Sequence, residues 1–218
     1  MVSTTPLKAV SLTHVRYERG DRLGHVLAWA SLVPVIVGWG GFLSHFVFRR
    51  ELQAMAFALG LILSEGINQV IKKAVKEARP LTCEMLEMCD SHGWPSSHSQ
   101  FMCFFSMYLT LLALRSFHFT DPFSKYFTVI VSWPFTVAVV YSRVYLGYHS
   151  VAQIIAGSII GLALGAIWFV IVNKYLVKFF PVIEGTALCR YLCIKDSTHI
   201  PSVLRFEYDN CRAARKKD

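Results

Sequence analysis

The chain has 218 residues, enough for one domain, with 54% hydrophobic and 17% charged residues, a mean hydropathy of +0.44 and a formal net charge of +8. That balance lies outside the usual soluble range and predicts a membrane-embedded protein. The positive charge does not imply nucleic acid, because the basic residues are scattered between apolar runs and no RNA-binding or zinc-finger pattern appears.

Residues 1–25 contain no apolar core, so they are read as an extramembrane segment rather than a removable signal peptide. The opening MVSTTPLKAVSLTHVRY is rich in Ser and Thr and free of acids, a composition an organelle transit peptide would share, although it is short for one. Residues 26–172 are read as a transmembrane domain with about five spans, near Val26–Phe48, Leu52–Ile71, Phe101–Phe117, Tyr126–Tyr141 and Val151–Val172. The fold expected is all-α, a multi-pass helical bundle. In the last span Gly157, Gly161 and Gly165 make one smooth face, read as packing within the chain in preference to dimerisation.

The second span carries Glu65, Asn68, Lys72, Lys76 and Arg79 at helical spacing, with Pro80 expected to end the helix at Arg79. Charge at membrane depth is costly and points to a protein interior or an aqueous cavity. Glu65 and Asn68 either orient Lys72 or bond a neighbouring helix. With five spans, residues 72–100, residues 142–150 and the N-terminus share one side. The other side, with the basic tail 173–218, carries 13 Lys and Arg against 9, so the tail is expected in the cytosol.

Three polar stretches therefore meet at one membrane face: Lys72-x6-Arg79-Pro80, Pro95-Ser96-Ser97-His98 and Ser142-Arg143-x5-His149. Two arginine forks and a lysine charge suit the nonbridging oxygens of a phosphate. The PSSH run opening a helix offers backbone N–H groups to an anion, and the Ser96 and Ser97 hydroxyls either donate or cap that helix. Two histidines suit displacement at phosphorus, one as nucleophile and one as general acid and base.

The stretches KKAVKEARP, PSSHS and SRVYLGYH together resemble the signature of the type 2 phosphatidic acid phosphatase superfamily, which shares its site with the vanadium haloperoxidases. LTHVRYERGD, FRREL, WPSSHSQFM and SRVYLGYHSVAQ are similar to the dolichyl diphosphatase branch, and CDSHGWPSSHSQFM to its plant lipid phosphate phosphatase gamma group. The likeness runs from about Leu7 to Tyr208. It implies His149 as nucleophile and His98 as general acid–base, with Lys72, Arg79, Arg143, Ser96 and the Ser97 backbone holding phosphate. It also implies hydrolysis of dolichyl diphosphate through a phosphohistidine, which recycles the carrier for protein N-glycosylation at the endoplasmic reticulum membrane with a lumenal site.

One position departs from the pattern: Gln153 stands where the superfamily has an aspartate. A Gln carbonyl can orient the His149 imidazole but cannot stabilise an imidazolium as a carboxylate does. Two alternatives remain open, a phosphatidate phosphatase of a plastid envelope and a silent binder or transporter of anionic lipids.

The other polar residues are given plainer roles. His92 is read as a solvated loop residue, and Glu84, Glu87 and Asp90 as a solvated acidic loop; no metal or cofactor is called for. Tyr145 and Tyr148 are read as interfacial aromatics, and a Cys83–Cys89 disulfide is one option for their loop. The closing RAARKKD is read as a basic segment near anionic headgroups.

Overall fold

The computed structural model describes residues 15–86, 89–115 and 122–215. Residues 1–14, Glu87 and Met88, residues 116–121 with the expected end of the third span, and the last three residues of RAARKKD lie outside that description. Among the described residues there are helices and no strand beyond one isolated bridge, Glu51 with Lys195.

Five long helical runs form the bundle. α1 (Arg22–Arg49) is assembled from short pieces, α-helical at Arg22–Ala30 and widened into π-turns at Ile36–Gly41 and His45–Arg49. Pro34 and the glycines at 38, 40 and 41 account for its irregularity, since Pro lacks a ladder donor and Gly loosens the backbone. α2 (Leu52–Val75), α3 (Ser97–Arg115), α4 (Pro122–Tyr145) and α5 (Val151–Val170) follow, and α5 continues through tighter and wider turns to Glu184.

Four of these runs are long and apolar enough to cross a membrane: α1, α2, α4 over Tyr126–Tyr145, and α5 with its extension. Their outer faces carry large exposed apolar side chains such as Val70, Ile130, Val137, Ile155 and Ile159, as a lipid-facing surface requires. α3 is the exception, and its place explains why. It packs against α5, α4 and α2, so Ser99, Gln100 and Ser106 are buried in protein and hydrogen-bonded. A helix surrounded by protein does not have to be apolar all round.

The helices also outrun the apolar segments legible in sequence, because Lys72 at the end of α2 and Arg143 at the end of α4 are still helical. α2 stops at Val75, earlier than Pro80 predicts. Lys76 turns left-handed at φ 53° and its N–H bonds Lys72 O, so Glu77–Pro80 leave the helix as an irregular segment.

The Gly157, Gly161 and Gly165 face is seated on α3. A Cβ would come 2.5 Å from Ser96 O at position 157, 2.8 Å from Phe104 O at 165, and clash with Gln100 O at 161. The smooth face thus serves packing within the chain, and it fixes α5 against the start of α3. Gly161→Ala is expected to cost about 1–3 kcal/mol of stability, the usual range for an overpacked interior. Detergent-solubilised thermal unfolding beside wild type measures it, and an unchanged midpoint would contradict the packing account.

Phe57, Phe104 and Tyr108 form an aromatic core between α2 and α3, with Phe57 and Tyr108 stacked at 4.3 Å. At the end of the bundle opposite the three polar motifs, the tail folds back on the bundle: Arg49 and Lys195 pair with Glu207, and Ser197 donates to Glu51.

Candidate active site

Helix ends bring the three motifs together. Consecutive antiparallel helices put the end of α2, the start of α3, the end of α4 and the start of α5 at one end of the bundle. There a cavity of about 630 Å³ is lined on its polar side by Lys72, Arg79, Ser97, His98, Arg143 and His149. Its apolar side runs along Pro34, Val35 and Phe42 of α1 and Leu61 and Ile62 of α2.

The three cations are held by neutral groups. Lys72 Nζ donates to Ser97 Oγ at 2.7 Å, and Ser97 Oγ donates to Asn68 Oδ1 at 2.9 Å. Asn68, fully buried, is fixed in turn by Gln100 Oε1 at 2.7 Å. Arg79 donates to Ser91 Oγ at 2.9 Å and to Tyr148 O at 3.0 Å. Arg143, 4% exposed, donates to Ser31 Oγ at 2.6 Å and lies over the Tyr148 ring at 4.0 Å. Its Nε is buried without a partner. Among the described residues no carboxylate is ion-paired with any of the three. Buried charge is expensive unless paired, so an anion would complete this cluster.

His149 is buried on the turn before α5, its Nε2 3.4 Å from Arg79 Nη1 and its Nδ1 3.0 Å from Gln153 Oε1. Burial, with the Arg79 and Arg143 charges beside it, holds this imidazole far below the usual histidine range, as the free base. The turn depends on Gly147, whose φ of 75° favours glycine and whose carbonyl accepts from Thr82 Oγ1. Ser150 then caps α5 in a reciprocal box with Gln153: Gln153 N–H donates to Ser150 Oγ, and Ser150 N–H to Gln153 Oε1.

Most of the residues singled out in sequence therefore share one cavity. Ser96 is placed differently. It is fully buried and its hydroxyl accepts from Ser99, so it caps α3 behind a wall formed by Ser97 and His98. Tyr148 is not an interfacial aromatic: at 2% exposed it supports Arg143 with its ring and Arg79 with its carbonyl, and its hydroxyl accepts from Arg16 N–H. Tyr145 does lie exposed, and His92 is outside the cavity wall. Cys83 and Cys89 form a disulfide, Cα atoms 5.0 Å apart, in the loop that Arg16 grips through Met85 O. Asn68 plays both roles considered for it, while Glu65 lines the cavity and accepts from Gln69. Three contributors went unnoticed in sequence: Gln100, Ser31 and Glu77. Gln100, two residues past His98, and the Ser150-x-x-Gln153 box carried signals that capping and helical spacing could have supplied.

Three cations with no ion-pair partner among the described residues, beside a free imidazole, suit phosphoryl transfer, and four helices are long and apolar enough to cross a membrane; with the family match that follows, the protein is an integral-membrane phosphatase. It belongs to the PAP2 superfamily, whose family model matches residues 53–176. The chain is 57% identical over 211 residues to the Arabidopsis thaliana lipid phosphate phosphatase gamma, covering 96% of this chain and 93% of that protein. It is 39% identical over 212 residues to the Homo sapiens dolichyldiphosphatase 1 (94% and 89% covered) and 34% identical over 165 residues to the Saccharomyces cerevisiae dolichyldiphosphatase (74% and 69%). No solved structure matches the chain.

Proposed function

We propose that the protein hydrolyses a polyisoprenyl diphosphate, dolichyl diphosphate by likeness to its relatives, to the lipid monophosphate and inorganic phosphate. The observation that carries this reading is the cavity itself, cationic at the helix ends and apolar along α1 and α2. The terminal phosphate binds among Lys72, Arg79 and Arg143, with the lipid chain left against the apolar wall.

His149 Nε2 attacks the terminal phosphorus as the free base. The bond from that phosphorus to the oxygen of the departing lipid phosphate breaks, and His98, protonated in the substrate complex where the diphosphate's negative charge offsets the three cations, delivers its proton to that oxygen. Neutral His98 then takes a proton from water, whose oxygen attacks the phosphohistidine. Inorganic phosphate leaves and His149 returns to its free base. The cations stabilise the charge spread over the equatorial oxygens throughout.

Phosphate release by the purified protein from dolichyl diphosphate, dolichyl phosphate and phosphatidate tests the reading. The diphosphate is expected to turn over at least about tenfold faster than either monoester, because phosphate leaves more readily than an alkoxide. Preference for phosphatidate would instead establish the second reading, a lipid phosphate phosphatase, which draws on the name of the plant relative. No release from any of the three would leave only an anionic-lipid binder. The proposal further puts the protein in the endoplasmic reticulum membrane with a lumenal site and a cytosolic C-terminus, supported by the basic-residue excess on the tail side. A tagged protein found in a plastid envelope would overturn that location.

A further inference from the structure

We propose that Glu77 is a positioning residue for His149, acting through the side-chain amide of Gln153; this rests on His149 being the nucleophile. Gln153 is 1% exposed and every polar valence of its amide is used. Nε2 donates to Glu77 Oε1 and to Ala78 O, both at 2.9 Å. Oε1 faces His149 Nδ1 at 3.0 Å and accepts from Ser150 N–H at 3.2 Å. Turning the amide over would set its carbonyl against a carboxylate and a carbonyl, and its NH2 against a backbone N–H. The sense of the amide is therefore fixed by its surroundings. With an acceptor facing it, Nδ1 carries the imidazole proton, which leaves the Nε2 lone pair for the cavity.

The carboxylate contributes more than orientation. When Nε2 bonds to phosphorus while Nδ1 keeps its proton, the ring becomes cationic. A negative charge on the far side of the amide draws on its N–H groups and enriches its carbonyl oxygen, so Gln153 passes part of the Glu77 charge to the ring. The charge that an aspartate would supply directly is thus kept one amide away.

Two local features make this reach possible. The left-handed Lys76 ends α2 early and lets Glu77 leave the helix, and Gly93 packs where a Cβ would lie 2.5 Å from Gln153 Nε2. Gly93 N–H also bonds Glu77 O at 2.8 Å, closing the loop over the amide through backbone alone.

Glu77→Gln keeps the shape and an acceptor while removing the charge. In steady-state phosphate release it is expected to lower kcat about tenfold with KM within about twofold, a size typical of coupled neighbours. The same substitution made on top of Gln153→Ala is expected to add less than about twofold, since the amide that transmits it is gone. Full losses that multiply in the double variant, a wild-type kcat for Glu77→Gln, or loss of folded protein in size-exclusion chromatography would each overturn the proposal. Activity of His149→Ala, run alongside, separates failure of the underlying nucleophile assignment from failure of the relay.

Discussion

His149→Ala is expected to lower phosphate release by about 10³-fold or more, since the nucleophile's part proposed for it cannot be taken by groups that merely bind the substrate. With ³²P in the terminal phosphate, wild type quenched in base is expected to carry covalent label and the variant none. A variant retaining more than about a hundredth of the wild-type rate would remove His149 from the nucleophile's role. The acid side of the pH profile adds a check. Because the folded-state pKa is depressed, by burial first and then by Arg79 and Arg143, the imidazole remains unprotonated as pH falls through 6.5. The acid limb of kcat/KM for the free enzyme is accordingly not expected to report His149 near that value.

Arg143→Lys is expected to reduce kcat/KM by about 10²- to 10³-fold although the charge is kept. The guanidinium is held by Ser31 on one side and by the Tyr148 ring beneath it, and its unpartnered Nε is part of a planar fork. An ammonium has neither the fork nor the stacking plane, so the bidentate support proposed for the equatorial oxygens would be lost. Steady-state kinetics on the preferred substrate measure this. A change below about threefold would show that Arg143 acts only as a diffuse charge.

The environment of Arg143 also shows how sequence and structure divide the information. The type of residue, its motif and its end of the bundle follow from SRVYLGYH and from alternating helix direction. That its fork would be held by Ser31 could not be read, because the two are 112 positions apart and Ser31 belongs to no motif. Lys72 shows the same division. Its membrane-depth charge predicted a cavity, but the Ser97–Asn68–Gln100 chain that holds it depends on α2 and α3 lying side by side.

Helix α3 marks a limit of hydropathy reading. Its serines, Gln100 and Tyr108 make it less apolar than its neighbours, and only its central position explains how such a helix is accommodated among the spans. The end of α2 marks another. Pro80 predicts a boundary to within a few residues, yet the break at Lys76 decides that Glu77 and Arg79 turn toward the site.

By itself the sequence determined a membrane bundle, the end of it at which polar motifs gather, and the two histidines and three cations that share a cavity there, because periodicity, apolar length and motif order act locally along the chain. Tertiary structure alone decided which neutral groups hold those cations, that Ser96 caps instead of facing the cavity, and that a carboxylate stands behind Gln153. Those outcomes depend on contacts between residues far apart in sequence, where backbone separation, glycine clearance and the sense of a single amide are set only once the helices have packed.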